Sequence, residues 1–270
     1  MNGIIDIGPG HLALAYLLLL FPLAILLHQR VPMLKETGVA VVRMTVQLLL
    51  VGFYLQIVFR LNHAGLNLLW LLVMVAVADG SILRGCRLRV RRFAPALFVA
   101  LFAGTAIPVL VFVGPVLRTP GWLDAQYVIP IGGMVLGNCL RADIIGLKGF
   151  YEAIARNEKA YLQSLAQGAR LSEAVRPHFQ DALQAALLPT VASMATIGLV
   201  ALPGMMTGVI LAGTNPLTAI KYQIAIMIAI FAGTAITVFL AIRLTLRSSF
   251  DAYGVLDRGI FVLAPAGRRA

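Results

Sequence analysis

The sequence is short of charge. Asp, Glu, Lys and Arg make up 12% of its 270 residues, whereas 60% of the residues are hydrophobic. Soluble domains carry about 25% charged and about 45–50% apolar residues, so this chain has too little polar surface to cover a water-soluble body of its size. The shortage excludes a soluble enzyme, a secreted disulfide scaffold and a disordered chain, and it predicts an integral membrane protein.

Motifs that build catalytic or nucleotide-binding sites are also missing. HExxH, GxSxG and CxxC do not occur, the four histidines are scattered, and the chain has no GxxxxGK[ST] loop to cradle ATP phosphates. Cys86 and Cys139 both fall near the predicted cytoplasmic side, where thiols stay reduced, so no disulfide is expected. We therefore expect a protein that is not an enzyme and holds no cofactor of its own.

Long apolar runs fill most of the chain. A membrane span needs roughly 20 largely apolar residues. Seven segments meet this need: 11–28, 39–60, 66–83, 94–117, 124–147, 187–212 and 221–246. They predict an all-α, multi-pass membrane protein of about seven helices, forming a single transmembrane domain over residues 1–270.

The positive charges lie mainly on one side of these spans. The net charge is +11, and of the 22 Lys and Arg residues only Arg60, Arg118 and Lys221 fall on the other side. The positive-inside rule then predicts an external N-terminus and a cytoplasmic C-terminus. The arginine-rich turn 84–92 is interpreted as an anchor at the lipid bilayer surface rather than a site for nucleic acid.

One long polar segment, residues 148–186, connects the fifth and sixth predicted spans on the cytoplasmic side. Its composition favours helix, with a break at Gly168, a short helix capped by Ser172, and Pro177 ending that helix or starting the next. A short helix held crosswise between two spans suits docking into a groove of a partner protein. The alternative is an ordinary connecting loop.

The sixth predicted span contains a break at membrane depth. Pro203 removes a backbone donor and Gly204 lacks a side chain, so together they predict a kink or an unwound turn. Broken helices in transporters mark the substrate path, and Met205 and Met206 carry thioethers able to contact a soft metal ion. The alternative is that these methionines fill irregular space around the kink.

Other polar groups within predicted spans are candidates for the same path. Gln47 lies in span two, and Asn138, Arg141 and Asp143 lie near the inner end of span five. Arg141 and Asp143 are two residues apart and are expected to find separate partners. The string Phe-Ala-Gly-Thr-Ala-Ile occurs twice, at 102–107 and 231–236, which we interpret as coincidence among small and apolar residues.

Several strings between residues 131 and 250 resemble the FetB family of ABC-transporter permeases, which includes bacterial iron-export permeases and plant aluminium-sensitivity and aluminium-resistance membrane proteins. The strings are Gly-Met-Val-Leu-Gly-Asn at 133–138, Leu-Ala-Gln-Gly-Ala at 165–169, Glu-Ala-Val-Arg-Pro at 173–177, Leu-Leu-Pro-Thr at 187–190, Gly-Leu-Val-Ala-Leu-Pro-Gly-Met-Met-Thr-Gly at 198–208 and Lys-Tyr-Gln-Ile at 221–224. Residues 139–143 depart from the small and polar residues usual in that family.

The resemblance implies a permease subunit in the bacterial inner membrane. It implies export linked to iron homeostasis, a homodimer, and a separate ABC ATP-binding subunit that holds the ATP. The implied coupling residues are Leu165, Gly168, Ala169, Glu173, Arg176 and Pro177, and the candidate substrate path comprises Gln47, Asn138, Pro203, Gly204, Met205, Met206 and Thr207. The alternatives are a permease for a nucleotide sugar or other small solute, a stand-alone secondary transporter or channel, and a membrane-embedded enzyme.

Overall fold

The computed structural model describes residues 7–119 and 121–261, and within these ranges the regular structure is helical apart from isolated bridges. The α-helices are α1 (Pro9–Leu17), α2 (Leu20–His28), α3 (Leu34–Leu61), α4 (Ala64–Gly85), α5 (Val90–Val111), α6 (Ala125–Arg156), α7 (Glu158–Ala166), α8 (Leu171–Ala174), α9 (Arg176–Thr196), α10 (Gly204–Leu211) and α11 (Pro216–Ser249). A π-helical turn, Phe112–Val116, extends α5, and a 3₁₀ turn, Arg258–Ile260, follows α11.

Six helical segments are long and apolar enough to cross a membrane, which supports the predicted all-α membrane class. They are Gly10–His28, Leu34–Leu61, Ala64–Gly85, Val90–Val116, Ala125–Arg156 and Pro216–Ser249. The predicted span 187–212 is not among them, because α9 ends at Thr196 and α10 begins only at Gly204. Six of the seven predicted spans therefore correspond to candidate spans, the sixth predicted span is a divided segment, and the predicted break at Pro203 is confirmed.

Four helices, α4, α5, α6 and α11, form the core around buried side chains such as Phe93, Leu97 and Val135. Outside it, α3 contacts the other helices near Val58, where Tyr54 stacks on Trp70 at a centroid separation of 4.0 Å. Most of the candidate path residues lie where the end of α9 and the start of α10 meet this core, and residues 165–177 lie at the opposite end of α9.

The two copies of Phe-Ala-Gly-Thr-Ala-Ile meet where α5 crosses α11. A Cβ atom built on Gly104 would lie 3.0 Å from the Gly233 carbonyl oxygen, and one built on Gly233 would lie 2.7 Å from the Gly104 carbonyl oxygen. Each glycine thus permits the close approach of the other helix. Coincidence is an incomplete interpretation of the repeated string, because both copies contribute to one helix crossing.

Candidate substrate pathway and coupling segment

A cleft of about 550 Å³, here called the Arg141 cleft, opens between α6, α9 and α11. The loop 197–203 and the start of α10 complete its wall. Its lining includes four of the predicted path residues, Asn138, Pro203, Gly204 and Met205. The break in the predicted sixth span therefore faces the polar inner part of α6, although the two are far apart in sequence.

A second cavity, here called the Tyr222 cavity, has a volume of about 310 Å³ and lies nearer the start of α11. Met206 lines this cavity, together with Tyr222 and hydroxyl groups of the segment before and within α11. Met205, Gln223 and Ile226 line both cavities. These three side chains form the wall that separates one cavity from the other.

Gln223 is the residue of this wall that the sequence analysis did not select. Its side chain is buried at the shared boundary of the two cavities, seven residues after the start of α11 at Pro216. In the sequence, Gln223 is a single amide followed by a long apolar run that ends before Arg243, and this pattern is the signal that could identify it. An amide that faces both cavities can donate and accept hydrogen bonds to a solute passing between them.

Two predicted path residues lie away from these cavities. Gln47 is exposed on α3 and lines a shallow surface groove with Lys35, Arg43 and other residues, so the structure does not bring it together with Asn138 or Met205. Thr207 is half-buried on α10 and donates its hydroxyl to the Pro203 carbonyl oxygen at 3.1 Å. That bond links the first turn of α10 to the end of the break.

The chemistry of the cavity walls is polar but almost uncharged. No Asp or Glu lines either cavity, and Arg141 supplies the one charged side chain among the lining residues that the structure describes. The remaining polar groups are amides and hydroxyls, and Met134, Met205 and Met227 add thioether sulfurs to the Arg141 cleft. Hard metal cations prefer carboxylate and carbonyl oxygens, so these walls suit a neutral or anionic solute better than a bare hard cation.

Asp143 points away from the Arg141 cleft. Its side chain is fully buried between α6 and α11, where the Thr237 hydroxyl donates to Asp143 Oδ2 at 2.9 Å. Arg141, in contrast, is exposed and lines the cleft. The expectation that the two find separate partners is confirmed for Asp143, which holds α6 against α11. Across the described part of the chain, no group of three or more His, Cys, Asp or Glu side chains is placed to hold a metal ion.

The coupling segment, residues 165–177, takes its name from the role that the resemblance implies, and it has the predicted helix–break–helix form. Gly168 has a φ of +94°, a left-handed conformation that favours glycine, and it lies two residues after the end of α7. The predicted cap at Ser172 is wrong, because the Glu173 carboxylate instead accepts the Arg170 backbone N–H at 2.8 Å and fixes the start of α8. Pro177 is the second residue of α9 and so begins the next helix.

The coupling residues divide by exposure. Leu165 and Ala169 pack against the core, whereas Gly168, Glu173, Arg176 and Pro177 are exposed. A partially buried base under an exposed polar surface is the arrangement that a docking element requires, because the base fixes the segment while the surface remains accessible.

The tail that follows α11, residues 250–261, holds α7 in place. The buried Tyr161 hydroxyl donates to the Gly254 carbonyl oxygen at 2.6 Å, and its burial raises the pKa of Tyr161 to about 12. Leu165 packs against the same glycine, which has a φ of +79°. Arg258 forms an ion pair with Glu158 of α7, so the tail contacts this helix at three points.

The same tail is also fixed to the turn between α4 and α5. Arg89 donates its backbone N–H to the Ile260 carbonyl oxygen at 3.0 Å, and Arg92 forms an ion pair with Asp257. The hydrogen bond from Arg92 lowers the pKa of Asp257. The arginine-rich turn therefore anchors the tail, a role that its basic composition alone does not predict.

Comparison with known proteins gives the family. The uncharacterised protein family UPF0014 matches residues 9–250. The protein named "Probable iron export permease protein FetB" from Escherichia coli strain K12 is 31% identical over 242 residues, which are 89% of this chain and 91% of that protein.

Two further relatives come from distant organisms. The UPF0014 membrane protein YjkA of Bacillus subtilis is 33% identical over 83% of this chain and 88% of its own length. The Arabidopsis thaliana protein ALUMINUM SENSITIVE 3 is 32% identical over 80% of this chain and 77% of its own length. No solved structure matches the chain. Because one family covers residues 9–250, this chain belongs to the UPF0014 family of membrane proteins.

Proposed function

We propose that the chain is the membrane-spanning permease subunit of an ABC exporter in the bacterial inner membrane. Two copies would work with two ATP-binding subunits, which hold the ATP that this chain has no loop to bind. The iron-export name of the relative FetB supports a role in metal homeostasis. The exposed residues of the coupling segment form the proposed contact with the ATP-binding subunit.

The proposal depends on one observation: the coupling segment and the Arg141 cleft lie at opposite ends of helix α9. Pro177 lies in the first turn of α9, and Thr190 and Ser193 near its other end line the cleft. A displacement of the coupling segment would therefore move the cleft wall directly, and the break at 197–203 would let α9 move without carrying α10 with it.

The wall between the two cavities supplies the second half of the mechanism. Met205 and Gln223 separate the Arg141 cleft from the Tyr222 cavity. Movement of α9 against α11 would widen or narrow the Arg141 cleft, whereas no α9 residue lines the Tyr222 cavity, so passage between the two cavities would be decided at Met205 and Gln223. The side chain of methionine adapts to both arrangements without a fixed shape.

A second candidate function has its own observation. The walls of both cavities lack carboxylates and include Arg141, which favours an ABC permease for an anionic or neutral solute such as a nucleotide sugar. A metal would then travel as an anionic complex rather than as a free cation. Transport by this chain alone, as a secondary transporter, has no comparable support from the coupling segment.

Reconstitution tests these proposals. The chain would be co-expressed with the ATP-binding subunit, purified, placed in liposomes, and assayed for ATPase stimulation by ferrous and ferric ions, iron complexes and nucleotide sugars. Stable co-purification with stimulation by one class supports the ABC permease and names its solute. Transport by the chain alone without ATP would overturn the proposal in favour of a secondary transporter.

A further inference from the structure

Four methionines from three helices line the two cavities of the candidate path. Met134 of α6 and Met227 of α11 line the Arg141 cleft. On α10, Met206 lines the Tyr222 cavity and Met205 lines both cavities. These are four of the nine methionines in the chain, and all four side chains are half-buried rather than sealed into the core. They are called here the methionine lining.

The amide of Gln223 is a further ligand group at the same wall. Its side chain is only 8% exposed and lines both cavities. The side-chain hydrogen bonds that the structure describes in α6, α9, α10 and the first half of α11 do not include this amide. A buried polar group without a protein partner calls for a bound molecule or ion, so the amide oxygen of Gln223 is available to a solute.

The ligand chemistry of this wall is soft and neutral. Thioether sulfur selects Cu(I) among the biological metals, whereas carboxylate and carbonyl oxygens suit harder cations. No Asp or Glu lines either cavity in the described part of the chain. A divalent ion would therefore bring two charges into a site with no carboxylate to neutralise them, which is costly away from bulk water. A soft monovalent ion brings one charge and is bound by neutral sulfurs.

The one charged side chain of the cleft lies apart from the methionine lining. Arg141 follows Met134 by seven residues on α6, which is about 10 Å along the helix at 1.5 Å per residue. Its side chain is exposed and can extend toward water. Because the Coulomb energy is proportional to the charge, its repulsion is half as large for a monovalent ion as for a divalent one.

We propose that the methionine lining and the Gln223 amide bind a soft monovalent metal ion of the Cu(I) and Ag(I) class, and that this ion is the solute of the permease. The inference rests on the proposed function, because it names the solute that passes the wall at Met205 and Gln223. Met134 and Met227 offer sulfur on the cleft side and Met206 on the other. Several weak sites in series let an ion enter and leave, as conduction requires.

Silver binding tests the site, because Ag(I) shares the soft character of Cu(I) and is stable in air. The full-length chain in nanodiscs would be dialysed against Ag(I) in chloride-free buffer, and the bound metal counted by mass spectrometry. Met205→Leu combined with Met227→Leu removes two sulfurs at nearly constant side-chain volume. The affinity is expected to fall about 10- to 100-fold or more, since loss of even a supporting residue of a metal site costs that much.

The matched control is Met194→Leu. Met194 is 38% exposed on α9 and lines neither cavity, so this variant should bind silver like the natural protein. Cys86 and Cys139 carry buried thiols that also suit silver. Every variant keeps both cysteines, so the difference between variants reports the methionines alone.

Two further measurements keep the result decisive. Met134→Leu repeats the test from α6, and Fe(II), measured without oxygen, is expected to bind the natural protein and the double variant alike. Silver binding by Met134→Leu and the double variant equal to that of Met194→Leu, or Fe(II) binding that the double variant loses, would each overturn the site.

Co-purification and ATPase assays separate this inference from the proposed function. If the ATP-binding subunit associates and an anionic solute stimulates its ATPase activity while Ag(I) does not, the soft-metal solute is wrong and the permease assignment stands. If silver binding depends on the methionines but no ATP-binding subunit ever associates, the metal site stands and the ABC assignment fails.

Discussion

The hydrogen bond between Tyr161 and the tail can be removed by a single substitution, which tests whether the tail holds the coupling segment in place. Tyr161→Phe keeps the buried ring but removes the hydroxyl that donates to the Gly254 carbonyl oxygen at 2.6 Å. Since the Tyr161 side chain is only 3% exposed, water cannot readily replace the lost donor. Leaving a buried acceptor unpaired costs about 1–3 kcal/mol, and we expect the attachment of α7 to the tail to weaken by that amount.

Hydrogen exchange measures this change directly. A loss of about 1–3 kcal/mol in a local opening equilibrium accelerates exchange of the affected amides by roughly 5- to 150-fold. The faster exchange should be confined to α7 and to the tail around Gly254, with the core of α5 and α11 unchanged. In the reconstituted transporter, the same variant should hydrolyse more ATP for each solute moved, because the coupling segment is held less firmly.

The control for this experiment lies in the same tail. Tyr253→Phe removes an identical hydroxyl from a residue that is 86% exposed, and its exchange should match that of the natural protein. If Tyr161→Phe and Tyr253→Phe gave the same exchange in α7, the idea that the tail holds the coupling segment would be refuted.

Three further predictions concern the core, the tail and the cleft. Gly233→Ala should lower the free energy of unfolding by about 1–3 kcal/mol, because its Cβ would lie 2.7 Å from the Gly104 carbonyl oxygen; Gly137→Ala, with nothing within 4 Å, should not destabilise, and a lower melting temperature for both alike would contradict the crossing. Asp257→Asn should expose the tail to protease at neutral pH. Because the pKa of Asp257 is lowered, the stability that its carboxylate contributes is present above about pH 4 and is lost as the pH falls through the folded-state pKa. Equal cleavage of the variant and the natural protein at pH 7 would refute the role of this carboxylate in holding the tail. Arg141→Gln should raise the KM for an anionic solute and leave basal ATPase activity unchanged, whereas an unaltered KM would remove Arg141 from the path.

Much of the fold follows from apolar periodicity and length. The apolar runs that predict α3 to α6 and α11 can each be assigned to a helix independently of the others. This is possible because each span in lipid must make its backbone hydrogen bonds within itself. The division of the segment 187–212 was predicted only as a local break at Pro203. That its first part continues the polar connector, so that α9 runs from Arg176 to Thr196, depends on packing against α6 and α11 and is not visible in hydropathy.

The candidate site was predicted in part, and the omissions have physical causes. Asn138, Pro203, Gly204 and Met205 were selected separately as polar groups or helix breakers, and folding brings them to one cleft. Gln47 was selected by the same rule, yet α3 lies outside the core and carries it to a separate groove. A polar side chain within a span reveals the need for a partner or for water, but which helix face it occupies is set by tertiary packing.

The tail gives the clearest case of a role that sequence reasoning cannot reach. Residues 250–261 lie beyond the last apolar run, and their role comes from contacts with residues far away in sequence, among them Gly254 with Tyr161 and Asp257 with Arg92. The tail leaves α11 directly, so it connects the coupling segment both to α11 and to the start of α5. A push on the exposed residues of the coupling segment would therefore reach the core along two routes, through α9 to the Arg141 cleft and through the tail to α11. Because α9 and α11 both line that cleft, a movement of α9 relative to α11 would change access to it.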